Sequence, residues 1–456
     1  MKRYIFLIIA MFTFSFVSLG QDRMLAHMNT VPQSLDANPA ATLPYKFYFG
    51  FPALNSFYFG FQNPFAFNDI VKRRADDSLW VDQKGFIDGL SSNRNLMFME
   101  NRVDVFNFGF RLKKNFFTFS NSIRSAVYFS YPKDMMSLLV NGNVQFLSTD
   151  QTVDMSKLRI NGSVWSEIAV GFQRHLTNRI NIGGRVKMLH GFANISNPKT
   201  DISFYTDPNS YAWTLISNAE VNMASIIGSD GKVSTSDLMK NKGFSLDLGG
   251  TYRFNDKLSV GLSVLDFGYI SWKTNTNKYT TNMKEDNWVF KGLELSRLFI
   301  DGKINTGIMQ EIGDTIKEQF QFNDSIKENY STWMYPKLCA NAYYKLGDNN
   351  KFGFYSRNDI ANGTIFPSFT FSYNRKFGRV LELGVSYSMI HKNWANLGAG
   401  LALKLGPVQT YITTENILSF FNVASAKNAY IHFGFNFVIG KWVETLLDQN
   451  KTSIDI

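Results

Sequence analysis

Charged side chains recur at alternate positions along several runs of this sequence, where residues of both signs could form ion pairs. Five of these charged residues are candidates for ion pairing, namely Glu167, Arg185, Lys187, Asp247 and Glu382. Each shares one face of a period-two run with small or polar residues, while the opposite face is apolar. If that polar face encloses an interior, the charges must pair or meet water. The pattern predicts an ion-pair network that stiffens the fold or holds an internal plug. The alternative is a polar relay for solute passage.

Four more basic residues are each the final residue on the polar face of a predicted strand, next to a turn. They are Arg111, Arg253, Lys345 and Lys404. One interpretation is a basic ring at the periplasmic mouth of the interior that attracts anionic solutes. The other is that each side chain reaches for anionic lipid headgroups. The sequence leaves both open.

Residues for catalysis or metal binding are scattered. The five histidines, His27, His175, His190, His391 and His432, lack the close spacing of a metal-binding helix. The single Cys339 excludes an intramolecular disulfide and a cysteine-built metal site. We therefore predict no catalytic, metal or cofactor site and no enzyme. A Ser/His hydrolase built on His432 is the alternative.

Two glycine pairs, Gly183-Gly184 and Gly249-Gly250, lie within period-two runs. They indicate bends or close backbone approach rather than phosphate binding. The formal net charge is +10, and no basic run is interleaved with aromatic residues. Nucleic acid is therefore not expected as a partner.

The elements that carry these residues are clearest in residues 378–405. Leu381, Leu383 and Val385 begin an apolar face that alternates with Glu382 and Gly384. After a tight link at residues 391–393 the alternation returns. The pair predicts an antiparallel hairpin whose arms have about the 9–11 residues of a tilted membrane-crossing strand.

Similar paired runs recur along the chain, joined by six short turns of Asn, Asp, Gly, Lys and Pro. Together with an interrupted first strand over residues 46–61 and a last strand over residues 430–438, they predict fourteen strands. The remaining connections are unevenly long, at residues 63–102, 125–162, 191–242 and 267–336. Short turns at one end and long loops at the other are typical of an outer-membrane barrel.

The fold class predicted is therefore all-β, a 14-stranded antiparallel transmembrane β-barrel with long extracellular loops. In the longest loop, Ile308, Ile312, Ile316 and Phe320 recur every fourth residue. That period predicts a helix over the barrel mouth, with a partner-binding helix as the alternative.

The ends of the chain divide into three parts. Residues 1–20 have the charged start, apolar run and small terminal residues of a signal peptide. Residues 21–440 form the barrel, with 21–45 as an N-terminal lead-in. Residues 441–456 form a short periplasmic tail. The location expected is the cell outer membrane, with its lipid as a partner.

A resemblance rests on several short motifs. They are Asn38-Pro39-Ala40, residues 47–52, Phe67-Asn68-Asp69, residues 131–134 and Gly142-Asn143. With the strand count, they make the chain resemble the FadL/PorV-like outer-membrane proteins of Bacteroidota. It is more closely similar to a large uncharacterised family of that group.

The resemblance implies two functions. In FadL-type proteins the segment before the first strand plugs the lumen, and small hydrophobic compounds are passed or bound. By analogy residues 21–41, with Asn38, Pro39 and Ala40, form the plug here, and we expect transport or binding of a small hydrophobic solute. PorV-type relatives serve type IX secretion, so the alternative is a structural or secretion-associated barrel whose loops bind secretion-apparatus or surface proteins.

Overall fold

The computed structural model describes residues 23–441 apart from 53, 93, 143–145, 147–151, 207–212, 229–230, 234–235, 282–286, 289–298, 301–302, 305–325, 362 and 392. Three expectations therefore lie outside the described residues. They are the signal peptide, the helix through Ile308 and Phe320, and the tail after Lys441.

Fourteen antiparallel strands form one closed barrel, which confirms the predicted fold class. The first strand, β1, consists of two segments, Tyr45–Gly50 and Phe57–Gln62. The others are β2 (Asn95–Leu112), β3 (Asn115–Tyr131), β4 (Arg159–His175), β5 (Ile180–Thr206), β6 (Lys242–Arg253), β7 (Leu258–Trp272), β8 (Lys337–Leu346), β9 (Asn350–Ala361), β10 (Thr364–Phe377), β11 (Leu381–Ile390), β12 (Asn393–Leu405), β13 (Val408–Thr414) and β14 (Asn428–Lys441).

The barrel closes where β1 pairs with both β14 and β2. Phe49 lies opposite Phe437 of β14 and Phe108 of β2. The second segment of β1 continues the same pairing, with Phe59 opposite Ile431 of β14. Both segments thus belong to one interrupted strand, as the sequence predicted. Because every edge is paired, no barrel strand presents a free edge.

The two ends of the barrel differ as expected. Six short turns join strands at one end, here called the short-turn end. Three of them contain a glycine with φ near +60° to +70°, at Gly347, Gly378 and Gly406, a conformation that residues with a Cβ rarely adopt. The opposite, long-loop end carries the long connections, together with two short links, from Ala361 to Thr364 and from Ile390 to Asn393.

Strands extend further toward the long-loop end than the sequence predicted. Residues 95–102 belong to β2, although the sequence analysis placed them in a loop. The sequence pattern missed this extension because of a β-bulge, at which the register with β3 shifts between Asp104 and Phe106. A bulge reverses which face successive residues occupy, so the alternation changes phase there. The longest strand, β5, has 27 residues and pairs beyond the barrel with Trp213–Ser225.

Apolar side chains face outward and polar side chains face the lumen. On β4, Val170 is 58% exposed and Glu167 only 2%. On β7, Leu262 is 68% exposed and Ser263 is 6% exposed. The predicted assignment of the two faces is therefore confirmed.

The remaining elements are short. Helices comprise Arg23–Ala26, Phe67–Ile70, Gln83–Gly89, Lys133–Asn141 and Leu418–Phe421, with 3-10 turns at Pro32–Asp36, Asp237–Met239 and Val423–Ser425. Minor strands comprise Val71–Arg73, Leu79–Val81, Val153–Asp154, Asn277–Thr280, Asn287–Trp288, Phe299–Ile300, Lys303–Ile304 and Tyr330–Trp333. Within the described ranges no helix combines the length and hydropathy needed to cross a membrane.

Candidate functional site

Residues 23–44, here called the plug, lie inside the lumen near the short-turn end. Met24, Leu25, Met28 and Val31 pack against wall residues that include Tyr411. All four of these plug side chains are fully buried. The N-terminal segment therefore fills lumen space that the side chains of fourteen strands would leave open.

Polar wall side chains hold the plug mainly through its backbone. Gln173 donates to the Ala41 carbonyl at 2.7 Å, and Asn181 donates to the Ala40 carbonyl at 2.7 Å. Gln409 donates to the Thr30 carbonyl at 2.9 Å. These bonds satisfy backbone groups of a segment that is not itself in the sheet.

The Asn38-Pro39-Ala40 motif lies directly against wall glycines. A Cβ added at Gly183 would collide with the Pro39 carbonyl, and one at Gly249 would collide with Asn38. The Asn38 amide closes a local turn by accepting from the Ala40 N–H at 2.8 Å. Both glycines therefore permit close backbone approach.

On the long-loop side of the plug lies the central ion-pair network, whose residues come from β2 to β9 and from one position in the plug. Its carboxylates are Asp36, Glu100, Asp104, Glu167, Asp247, Asp266 and Asp359, and its cations are Arg102, Arg124, Arg185, Lys187, Lys337 and Arg357. All are at least 90% buried as side chains. Charges of opposite sign nearly balance, which is the condition for burying them.

The network connects the plug to the wall through Asp36. Its carboxylate lies 2.7 Å from the Arg102 guanidinium and 2.5 Å from that of Arg185. Burial alone would raise the pKa of Asp36, but these two cations outweigh burial and hold the pKa well below its ordinary value. Arg102 also binds Asp104, and Arg185 also binds Asp247.

Lys187 lies at the centre of the network. Its ammonium is 2.6 Å from Asp266, 2.8 Å from Asp247 and 3.7 Å from Glu167. Asp266 reaches this point because it lies in a bulge of β7, with φ of 54°. An aspartate tolerates that conformation better than most residues, and the bulge directs its side chain inward.

Four of the five predicted lumen residues meet in this network, namely Glu167, Arg185, Lys187 and Asp247. Glu382 is not among its ion pairs in the described part of the chain. It lies nearer the short-turn end and accepts a hydrogen bond from Thr30 of the plug. The structure thus brings four of the five together and places Glu382 beside the plug, because alternation predicts a residue's face but not its height along the barrel axis.

Sequence reasoning missed most of the other members. Glu100 and Arg102 fell in a predicted loop, although their alternation with Met99 and Asn101 was a signal. Asp266 was missed because the bulge changes the phase of β7. Asp36 carried no signal, since the plug is not a strand.

The four basic residues expected at the periplasmic mouth have different surroundings. The Arg111 guanidinium lies over the Phe116 ring at 4.7 Å, and the Lys404 ammonium lies over the Tyr45 ring at 5.0 Å. Arg253 and Lys345 instead line a common cavity at the short-turn end. The structure thus brings together two of the four.

On the long-loop side of the network lies a layer of apolar side chains, here called the inner apolar layer. Its buried members are Leu96, Phe98, Ala126, Tyr128, Trp165, Leu189, Ala224, Ile270, Trp272, Met334, Ala361, Ile390 and Tyr430. Most lie two residues from a charged or polar group on the same strand, as Trp165 does from Glu167. The side chains that line the lumen therefore change from charged to aromatic within two residues along a strand.

The plug and the network leave little space between them. Side chains including Asp36, Arg102 and Lys187 line a cavity of about 30 Å³, which is room for about two water molecules. Passage of a solute through this level would require the plug to move.

The chain matches one known protein family over most of its length. Residues 39–415 match the model of a family of unknown function, DUF5723. The chain belongs to this family. The match includes the last two plug-motif residues, Pro39 and Ala40, and every charged member of the network except Asp36.

Solved structures similar to this DUF5723 chain include two toluene transporters and a FadL homologue. The toluene transporter TodX of Pseudomonas putida is 9% identical, with coverage of 89% of this chain and 91% of that chain and a TM-score of 0.39. The Ralstonia pickettii toluene transporter TbuX is 9% identical, with coverage of 92% and 93% and a TM-score of 0.39. A Pseudomonas aeruginosa FadL homologue is 9% identical, with coverage of 89% and 93% and a TM-score of 0.39. The comparison with curated proteins finds no match.

A serine and a histidine of the DUF5723 barrel do meet in the lumen. Ser56 Oγ lies 2.7 Å from His432 Nε2, and the Tyr411 hydroxyl lies 2.9 Å from the same nitrogen. Ser56 and His432 are fully buried, so a substrate has no access to them with the plug in place. The contact fastens β1 to β14 beside the interruption in β1.

No group of three or more His, Cys, Asp or Glu residues in the described part of the DUF5723 chain is arranged to hold a metal ion. The acidic residues of the network instead face arginine and lysine. The arrangement can hold a plug and isolate charge from solvent.

Proposed function

We propose that this protein is an outer-membrane barrel that binds a small apolar solute at the inner apolar layer and transports it when the plug is displaced. The support for the membrane location is the outer surface. Val170, Leu248 and Leu262 are each more than half exposed, as are Phe371 and Val385. Exposed apolar side chains around a whole barrel are costly in water and favourable against acyl chains.

The observation that carries the proposed solute class is the inner apolar layer itself. Residues facing the lumen of a barrel do not need to be apolar, yet Trp165, Trp272 and Tyr430 are buried there under the long loops. Aromatic side chains supply a large apolar surface. Two of these three have hydrogen-bonded polar atoms, whereas the buried Trp165 indole N–H has no hydrogen-bond partner among the described residues. The Trp272 indole donates to Thr332 at 2.8 Å, and the Tyr430 hydroxyl donates to Gln62 at 2.7 Å. An apolar molecule entering from the loops reaches this layer before the network.

The binding step is tested with the purified protein and an apolar fluorescent probe, N-phenylnaphthylamine. We expect Trp272→Ala to weaken probe binding about tenfold, which corresponds to ~1.4 kcal/mol. Trp333→Ala is the matched control, because Trp333 is 64% exposed on the outer face of the neighbouring minor strand. Circular dichroism and gel mobility without heating confirm that both variants fold.

Equal probe affinity of the two variants and the wild type would contradict binding at the inner apolar layer. The transport step is tested separately by probe uptake into liposomes. A variant lacking residues 21–41 should admit the probe faster than the full chain. Equal uptake would contradict transport through the lumen and leave the binding result standing.

The alternative function, a structural or secretion-associated barrel, has an observation of its own. β5 has 27 residues, or about 90 Å at 3.3 Å per residue, which is far longer than a membrane crossing. Its outer half forms a ribbon with Trp213–Ser225, which in turn pairs with Asn277–Thr280. Such a ribbon offers a surface for partner proteins. Stable partners recovered with the wild type, and lost when residues 199–224 are replaced by a short turn, would favour this function.

A further inference from the structure

A cavity of about 250 Å³ lies between the plug and the wall at the short-turn end. We call it the vestibule. Its plug side includes Ala37 and Asn38, and its wall side comes from β4 to β10 and their turns. It lies on the opposite side of the network from the inner apolar layer and is therefore separate from the proposed solute site.

The vestibule is lined by five cations, Arg179, Arg253, Lys345, Lys351 and Lys376. No carboxylate occurs among the described residues that line it. This differs from the central network, where seven carboxylates face six cations. Five positive charges around one small cavity repel one another, and an anion in the cavity would relieve that repulsion.

One of the cations is fastened to the plug. The Lys351 ammonium donates to the His27 carbonyl and to the Asn29 side-chain oxygen, the latter at 2.8 Å. Both acceptors are neutral, so these bonds orient the ammonium. The carboxylate that acts on its charge, Glu382, lies outside the vestibule lining. An anion that reaches Lys351 therefore contacts the plug and the wall together.

The chemistry of the lining favours a phosphoryl group. Guanidinium groups such as those of Arg179 and Arg253 bind phosphate oxygens in pairs, and lysine ammoniums bind them as point charges. Asn29, Asn178 and Asn341 add neutral donors. By the measure used for the cavity in the network, ~15 Å³ for each water molecule, the vestibule has room for roughly 16 water molecules, which leaves space for atoms attached to the phosphoryl group.

We propose that the vestibule binds a phosphoryl group and thereby links the plug to the barrel wall. Two sources present this chemistry at the short-turn end. One is a soluble phosphate compound, and the other is the headgroup of a phospholipid whose acyl chains lie beside the barrel.

Isothermal titration calorimetry on the full-length mature protein in dodecyl maltoside, which has no phosphate, distinguishes these sources. One arm uses pyrophosphate, and the other uses short-chain phosphatidylglycerol below its micelle concentration, both in about 0.1 M salt to suppress weak surface binding. We expect binding in at least one arm. Lys376→Gln and Arg253→Gln should each weaken it about tenfold, because each removes a charge-assisted contact.

Arg375→Gln is the matched control. Arg375 neighbours Lys376 on β10 but is exposed outside the barrel, where its guanidinium lies 5.1 Å from the Phe377 ring. Its affinity should stay within about twofold of the wild type, since its charge is screened from the vestibule.

The arm that responds to the two variants identifies the source of the phosphoryl group. The absence of binding in both arms would overturn the proposal. Binding that the variants weaken no more than Arg375→Gln does would also overturn it. Circular dichroism and unheated gel mobility establish that each variant is folded before titration.

Discussion

The substitution Asp36→Ala tests whether the ion-pair network holds the plug in place. Asp36 is the plug's contribution to the network and contacts both Arg102 and Arg185. Breaking a buried ion pair by removing one partner costs about 3–5 kcal/mol. Arg102 keeps Asp104 and Arg185 keeps Asp247, so we expect the lower value. A loss of about 3 kcal/mol raises the undocked fraction of the plug on the order of 100-fold.

Trypsin cleavage after Arg23 measures that fraction. Arg23 is 1% exposed in the docked plug, and its guanidinium donates to Ser368 at 3.1 Å. Cleavage therefore requires undocking, and its rate follows the undocked population when docking is fast. The shortened chain is detected by intact mass spectrometry.

The control is Asp69→Asn, in a loop. Asp69 lies 2.9 Å from Lys427, but both side chains are more than a third exposed, and such pairs contribute at most about 1 kcal/mol. Its cleavage rate should stay within about fivefold of the wild type. The electrostatic account of plug docking is refuted if Asp36→Ala is cleaved no faster than this control.

Three further predictions concern the wall. Gly249→Ala should raise trypsin cleavage after Arg23 by at least about tenfold, since its Cβ would collide with Asn38 of the plug. A Cβ at Gly250 would meet only the Asn181 carbonyl oxygen, in ordinary van der Waals contact at 3.9 Å, so Gly250→Ala should match the wild type. Equal cleavage rates of the two variants would contradict close packing of the plug motif. Lys187→Ala should lower the free energy of unfolding by about 3–5 kcal/mol, because three buried carboxylates lose a shared cation. Urea unfolding in micelles, followed by tryptophan fluorescence, measures this loss. An unchanged unfolding midpoint would argue against a stabilising role of the network. Ser56→Ala should lower the free energy of unfolding by about 1 kcal/mol through its lost hydrogen bond. The variant should hydrolyse p-nitrophenyl esters no more slowly than the wild type does. A loss of esterase activity would reinstate the hydrolase hypothesis.

Several features of this protein follow from the sequence alone. A period-two pattern determines which side chains share a face, so the fourteen strands, the outward apolar face and the inward positions of Glu167 and Asp247 could be predicted. The interruption of β1 was visible because apolar alternation stops and resumes. Paired glycines such as Gly183-Gly184 indicated close backbone approach, and the structure places the plug motif at that point.

Only the tertiary structure decided which inward-facing charges meet. Alternation predicts the face of a residue, but its height along the barrel axis depends on strand tilt, register and bulges. Glu382 therefore lies beside the plug rather than in the network, and Asp266 enters the network through a bulge that reverses the local phase. Asp36 comes from a segment with no strand pattern, so its two arginine partners are determined by the path of the plug through the closed barrel.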